Sequence, residues 1–481
     1  MRPAEPKFAV HFNSFVVDSR AASTRPLGTV LRSSELTPRE TASLPGDTSG
    51  EPGPRYVSGA AWCACKPVPL REPRLVLADR SALRELLGCD SVADPTLLQL
   101  VSGRFLPSGA VPAAFNYCGW QFGSFAGQLG DGAAVTLGVT ASGLELNLKG
   151  LGPTPFTREG LTGRKTLPSL VKEFVQSEAL HRLGIPTVRA VAVAIGEGAE
   201  ACLLRLSRSL LRFGTLELCN QPASNGKAGP SVGDYALLRS LADHVLRCFY
   251  PEVLEAGPDD GDEEREGLYR ELVLAVTRRT AALVAQWMVA GWVHGTLNTD
   301  NFSLVGETLD LGTGGFMETF RYDWVVNETD RAGVYSYERQ PLAAQQACVR
   351  LAEALQPLHC EHMRELRPRV EAAFDEAYEG GYLYGMRRRL GLAGERETDR
   401  VLVRELLDAM EAARMDWSDA WDELEAAQNP AALADWASRH GQRLAGRTQV
   451  RHERVGTVPR RADVQVVMEQ LIYRSPTTDV R

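Results

Sequence analysis

His294 is followed seven positions later by Asn301 and nine further on by Asp310, with Gly312 two residues beyond that. Asn301 and Asp310 are hard oxygen donors at a spacing that can share a magnesium or manganese ion. Magnesium takes few protein carboxylates and leaves its other positions to phosphate and water. Asp300, beside Asn301, is a carboxylate that could take a proton from an attacking hydroxyl. An isolated Asn298-Thr299-Asp300-Asn301 says little, because Asn and Asp favour turns anyway. The weight comes from what precedes it. Gln128-Leu129-Gly130-Asp131-Gly132 is a glycine-rich turn, and the alternating stretch Leu144–Lys149 follows it and ends on a lysine. Bare glycine backbone can approach phosphate and an ammonium can neutralise it. The bland alternative is a glycine-rich hairpin with a solvated lysine.

Set against the protein-kinase loop H-R-D-L-x-x-x-N and the later D-F-G, His294, Asn301, Asp310 and Gly312 fall on matching positions. Thr296 falls where a kinase carries its catalytic Asp. Both metal-ligand positions are therefore filled and the usual base is missing, with Asp300 as its substitute. His294 reads as a histidine bracing the loop.

The elements that must hold these groups follow from periodicity. Val135–Val139 and Leu144–Lys149 alternate around Ala141-Ser142-Gly143, which makes a hairpin with Lys149 on the face opposite Leu144, Leu146 and Leu148. Pro168–Leu183 is helical, with Leu170, Phe174, Ser177 and Leu180 near one face. It carries Glu173, the carboxylate expected to pair with Lys149, and Glu178 as a competitor. Val188–Ile195 and Ala201–Leu206 complete a small sheet. Arg205 and Arg212 have guanidinium forks suited to phosphate, although two arginines seven residues apart are commonplace. Upstream, Ser81 reads as the cap of a helix ending at Leu87, Asp94–Val101 as a second short helix, and Thr41–Pro54 as a loop. Gln221–Gly233 is linker-like. Beyond it the chain turns helical: Asp234–Tyr250, Leu268–Ala290 after an acidic loop at Gly257–Glu266, Gln340–Leu355, His362–Tyr378, Asp399–Ala427 and Asn429–Leu444.

The fold expected is α+β: a protein-kinase-like bilobal arrangement with a small β-rich N-lobe and a larger helical C-lobe, plus N-terminal and C-terminal extensions. The boundaries expected are an irregular segment over 1–55, the N-lobe with its nucleotide-binding hairpin over 56–220, the helical lobe with the catalytic and metal loops over 221–400, and a helical extension over 401–481.

At this point the chain resembles a known family. Gln121-Phe122-Gly123, QLGDG at Gln128–Gly132, LKGLGPTP at Leu148–Pro155, LGIPT at Leu183–Thr187, VHGTLNTDN at Val293–Asn301 and YSYERQP at Tyr335–Pro341 resemble the selenoprotein O, or YdiU, family of kinase-fold protein adenylyltransferases. The likeness runs from about Phe12 to Leu424. It implies ATP bound in reverse, with AMP passing to a Ser, Thr or Tyr hydroxyl of a protein. It implies that Gly130 and Gly132 form the phosphate-facing turn and that Lys149, Arg205 and Arg212 hold phosphates with Glu173 in support. Asn301 and Asp310 would bind the metal, and Asp300 would be the base. Three departures stand out. Ala133 occupies the place of an arginine that usually follows QLGDG. Gly160-Leu161-Thr162-Gly163-Arg164 is one residue longer than the family's G-D-G-R and lacks its Asp. The last cysteine is Cys360, so no C-terminal redox switch is expected.

Composition limits the rivals. The 481 residues are 44% hydrophobic and 24% charged, with a net charge of -8, which points away from nucleic acid or an anionic membrane as partner. No apolar run reaches the roughly 18 residues of a spanning helix, and no targeting peptide is evident. Cys63-Ala64-Cys65 has the wrong spacing for zinc, and the nine cysteines are expected as reduced thiols. The expectation is a monomer acting on ATP and protein substrates, cytoplasmic, or mitochondrial if the source is eukaryotic. The alternatives are a nucleotide-binding pseudokinase scaffold without catalysis and a divergent phosphotransferase.

Overall fold

Strands gather early in the chain, where small and β-branched apolar residues alternate between turn glycines. The computed structural model describes residue 27 and residues 35–51, 53–89, 91–255, 262–425 and 433–444. One nine-stranded sheet contains β1 (Gly46–Asp47), β2 (Trp62–Ala64), β3 (Arg74–Ala78) and β4 (Ala113–Phe115). A separate hairpin of β5 (Trp120–Gln121) and β6 (Ser124–Phe125) follows. The sheet then continues with β7 (Ala134–Val139), β8 (Glu145–Lys149), β9 (Lys165–Thr166), β10 (Arg189–Ile195) and β11 (Glu200–Ser207). Its order is β1-β2-β4-β7-β8-β11-β10-β3, with β9 also on β11. Among the described strands of this sheet, only β1 and β2 run parallel.

Each face of the sheet has its own cover. Leu146, Leu148, Leu204 and Leu206 pack with residues of α2 (Arg80–Leu87) and α3 (Pro95–Val101). On the other face, Leu170, Val171 and Phe174 of α4 (Leu167–Arg182) meet Ala190, Val193, Ala201 and Leu203. Strand alternation sends Glu145, Asn147 and Lys149 to this second face.

After α5 (Phe213–Leu216) the chain is mostly helical: α6 (Tyr235–Phe249), α7 (Pro251–Glu255), α8 (Asp262–Ala290), α9 (Gln340–His359), α10 (Met363–Arg389), α11 (Asp399–Ala412), α12 (Trp417–Glu425), α13 (Ala434–Arg439) and α14 (Gly441–Leu444). Helix α8 packs against α9 and α10 and delivers the chain into the short pair β12 (Trp292–Val293) and β13 (Gly315–Phe316). The loop between β12 and β13 carries His294, Asp300, Asn301 and Asp310.

Several expectations need correction. Asp79, not Ser81, caps α2, accepting from the amides of Ser81 and Ala82 at 2.6 and 2.9 Å. Asp94 caps α3. Part of Thr41–Pro54 is ordered, as the end of α1 (Arg39–Ser43) and the edge strand β1. Two paired residues are too few for alternation to reveal. Helix α8 begins at Asp262, inside the expected acidic loop, and residues 256–261 lie outside the described residues. The expected helix Asp399–Ala427 is broken: Arg414 adopts φ 52°, and Asp416 then caps α12. Residues 426–432 lie outside the described residues, as does the tail after Val450. The stretch Arg265–Ala290 is long and apolar enough to cross a membrane, contrary to expectation. Two-thirds of its most apolar window is buried inside the protein, as befits a core helix. All nine cysteines are free thiols.

Candidate active site

Lys149 closes β8 on the face that α4 covers, so its ammonium meets that helix. Its Nζ lies 2.6 Å from Glu173 Oε2 and 2.9 Å from Asp310 Oδ1. Glu173 Oε1 accepts from Arg205 on β11 at 2.9 Å, and Arg205 Nε donates to Asn147 Oδ1 at 2.9 Å. Arg212, just past β11, donates to Asp310 Oδ2 at 2.5 Å and to the Asp300 carbonyl at 2.6 Å. It lies 3.7 Å from Asp131 and stacks over the Tyr117 ring. Five residues expected from sequence therefore form one network: Lys149, Glu173, Arg205, Arg212 and Asp310. The competitor Glu178 pairs instead with Arg189 at 3.1 Å.

Asp310 is the open member of this network, with a quarter of its side chain exposed, while Arg205 is 2% exposed. Its backbone sits at φ 50°, a conformation a non-glycine residue rarely adopts. Burial pushes its carboxyl up, but Arg212, Lys149 and Arg205 outweigh that and hold it well below the usual carboxylate range. Burial brings the His294 imidazole down to about 4, so it is neutral. Its Nδ1 accepts from the Thr296 amide, so Nε2 donates to the Leu309 carbonyl at 2.8 Å. One neutral histidine thus ties the Asp300 loop to the residue before Asp310.

Asp300 is buried, and its surroundings differ. Gln121 donates to its carboxylate at 3.2 Å. A Cβ on Gly119 would come within 2.2 Å of Oδ1, so the β5 approach needs glycine there. Burial pushes the Asp300 carboxyl up to about 6, only partly opposed by Arg212. The neighbouring Thr299 hydroxyl accepts from the Trp120 amide and donates to Glu217, itself pushed up to about 8 by burial. Asn301 uses its Nδ2 on the Thr296 carbonyl at 2.9 Å. Among the described residues its amide oxygen makes no hydrogen bond, and none joins it to Asp310.

Among the described residues, Gly130 and Gly132 touch the network only through Asp131 between them, which lies 3.7 Å from Arg212. Gly130 has φ 71°, and a Cβ there would lie 2.2 Å from the Phe156 ring. The turn's carbonyls are bound by Thr154 and Thr157, at 2.7 Å to Asp131 O and 2.6 Å to Gly132 O. Ala133 and Ala134 follow, and Ala134 pairs with Lys149. Of residues 160–164 only Gly163 lies against this turn, where a Cβ would come within 3.0 Å of the Gly132 carbonyl; Gly160, Leu161 and Thr162 are exposed, and Arg164 is committed to Glu200 and the Val68 carbonyl.

A partly exposed carboxylate kept ionised by three cations, beside a second, buried carboxylate poised near neutrality, can neutralise phosphate and accept a proton. Residues 65–453 match the family described as protein adenylyltransferase SelO. The chain belongs to the SelO family. It is 42% identical over 405 residues to the human protein adenylyltransferase SelO, mitochondrial, covering 79% of this chain and 59% of the human protein. The mouse SelO is 41% identical over 420 residues, covering 82% and 62%. The protein nucleotidyltransferase YdiU of Bradyrhizobium diazoefficiens is 36% identical over 417 residues, covering 81% of each chain. The chain thus spans about three fifths of the length of these mammalian SelO proteins.

Sequence reasoning missed Asn147 and Asp131 as members of the site, and saw Gln121 only as part of a family signature. Asn147 could have been found: it shares a strand face with Lys149 two residues away. Asp131 and Gln121 carried no such local signal, because each meets its partner across the fold.

Proposed function

We propose that this chain is a protein adenylyltransferase that moves AMP from ATP to a Ser, Thr or Tyr hydroxyl of a protein. The reading takes the cleft as kinase-like, between an N-lobe over 56–220 and a helical lobe over 221–400, with 1–55 and 401–481 as extensions. The observation that carries it is the convergence of Lys149, Arg205 and Arg212 on Asp310, with Asp300 a second, buried carboxylate on the same loop, four residues after Thr296 at the place of the kinase base.

Asn301 and Asp310 would hold a magnesium or manganese ion, whose charge would help neutralise phosphate. The donor set fits: Asp310 is held ionised, and the Asn301 amide oxygen has no hydrogen bond among the described residues. Two protein oxygens suit magnesium when phosphate and water fill the rest. Lys149, Arg205 and Arg212 hold the phosphates, with Glu173 aligning Lys149 and Arg205. The turn at Gly130 and Gly132 lies against the nucleotide.

A base at Asp300 is displaced from the kinase position at Thr296, so the reacting phosphorus is displaced too. With ATP reversed, the α-phosphorus faces the acceptor. Asp300 takes the hydroxyl proton, a new oxygen–phosphorus bond forms at the α-position, and its bond to the bridging oxygen breaks to release pyrophosphate. Arg205 and Arg212 hold that leaving group. A carboxyl poised near pH 6 is mostly ionised at neutral pH and still basic enough to work.

The test uses ATP labelled separately at the α- and γ-positions, with intact protein mass. Label from the α-position on protein, with pyrophosphate released, is expected. Label from the γ-position would make the chain a divergent phosphotransferase. Nucleotide binding with no transfer would favour the scaffold reading, which Ala133 supports. The reading keeps a monomer without nucleic acid or membrane partners, cytoplasmic, or mitochondrial in a eukaryote.

A further inference from the structure

The row of cations on this face of the sheet, Arg205 on β11 and Lys149 on β8, does not stop at Lys149. On the edge of β11 that β8 occupies, Asn147 pairs with Arg205 and Lys149 with Leu203. There β8 ends: Gly150 has φ 117°, and a Cβ on it would strike the Ala201 carbonyl at 2.1 Å. Strand β9 takes over the same edge, with Lys165 opposite Ala201. Opposed residues share a face, as do alternate residues along a strand. Lys165 therefore projects from the face of Asn147, Lys149 and Arg205, one same-face position beyond Lys149, or about 7 Å along the strand.

Three further observations concern this lysine. It is half-buried, yet among the described residues it has neither an ion pair nor a hydrogen-bond partner. A half-buried ammonium with no carboxylate in direct contact is unfavourable, which an anionic ligand would relieve. Burial and then Lys149 push it down, while Asp310 and Glu173 push it up, so it lies within electrostatic reach of the network. Two residues before it, Gly163 lies against the glycine turn, where a Cβ would come within 3.0 Å of the Gly132 carbonyl.

We propose that Lys165 is a further nucleotide-binding residue, contacting the polyphosphate of ATP and supplying near the turn the positive charge that Ala133 lacks. This rests on the nucleotide reading of the cleft given above. The two fail differently in one experiment on the full chain: calorimetric affinities for ATP, pyrophosphate and AMP with magnesium, in wild type, Lys165→Gln, Lys165→Arg and Lys149→Met, each first checked for an unchanged melting temperature. Loss of one charged contact is expected to weaken ATP and pyrophosphate about tenfold in Lys165→Gln. AMP should be little affected and Lys165→Arg close to wild type. In the transfer assay the loss should fall on KM for ATP more than on kcat. Adding Ala133→Arg to Lys165→Gln should restore ATP affinity. Unchanged ATP affinity in Lys165→Gln alongside weakened binding in Lys149→Met overturns the role of Lys165 and leaves the nucleotide site standing. Unchanged affinity in both overturns the site itself. An equal loss for AMP would show that Lys165 does not read the polyphosphate, and would overturn the proposal as stated.

Discussion

Asp300 and Asp310 lie on one loop, ten residues apart, and the fold treats them oppositely. Around Asp310 it gathers Lys149, Arg205 and Arg212, so the carboxyl stays ionised far into acid. Asp300 it buries beside Gln121 and the bare Cα of Gly119, so the carboxyl titrates near 6. Arg212 joins the two regions. Its side chain pairs with the Asp310 carboxylate, but it reaches Asp300 through the backbone carbonyl. Charge is thereby concentrated on one acid and withheld from the other. Two environments that push identical groups apart suit them to different work, which is the basis of the proposal that Asp310 serves charge and Asp300 proton transfer.

The largest effect should come from the charged side. Asp310→Ala is expected to abolish magnesium-dependent ATP binding, because it removes the one carboxylate ligand of the proposed metal site. Calorimetry with and without magnesium reads this directly, and unchanged metal-dependent affinity would mean the site lies elsewhere.

On the other side, Asp300→Asn should lower kcat by about 10²–10⁴ while leaving ATP affinity near wild type. In the wild type, kcat should rise about tenfold per pH unit below about 6 and level off above it. Stability should move the opposite way. Because the folded pKa is raised, the native chain keeps a proton that the unfolded chain releases between about pH 4 and 6, and stability falls as pH rises through that window. At pH 7 the cost is up to about 3 kcal/mol. Asp300→Asn should therefore melt higher than wild type at pH 7 and close to it at pH 4. A lower melting temperature at pH 7 would contradict the burial argument.

The smallest effect tests the network's unity. Lys149→Met and Glu173→Gln should each cost about 10²–10³ in rate. Glu173 serves Lys149 and Arg205 together, so the double variant should lose little more than the worse single. Strictly multiplicative losses would show two independent groups rather than one.

Much of the site was legible because it rests on local periodicity. Alternation through Leu144–Lys149 put Lys149 on the face away from the leucines, and helical phase put a carboxylate on the covering helix. The expected carboxylate, Glu173, is the one that pairs with Lys149, but what excludes its competitor was not legible. Glu173 and Glu178 lie on the same helix, and the choice was made by Arg189 on β10, which takes Glu178. The role of Lys165 was hidden for the same kind of reason. Its face is set by pairing with Ala201, and strand pairing between β9 and β11 leaves no trace in either segment alone. The breaks at Arg414 and the start of α8 were missed because helix ends depend on caps and packing more than on composition.

The sequence by itself determined which groups are present and the phase on which each is carried: the glycine turn, the lysine at a strand end, the carboxylates of one helix, the spacing of Asn301 and Asp310, and family membership. Those depend on residue type and on periods of 2 and 3.6 that the backbone imposes everywhere. Only the tertiary structure decided the charge state of each group. Burial and the positions of Arg205, Arg212 and Lys149, brought from segments far from Asp310 in the chain, keep Asp310 an anion and make Asp300 a titrating group, and electrostatic energy depends on distance and solvent access rather than on order along the chain.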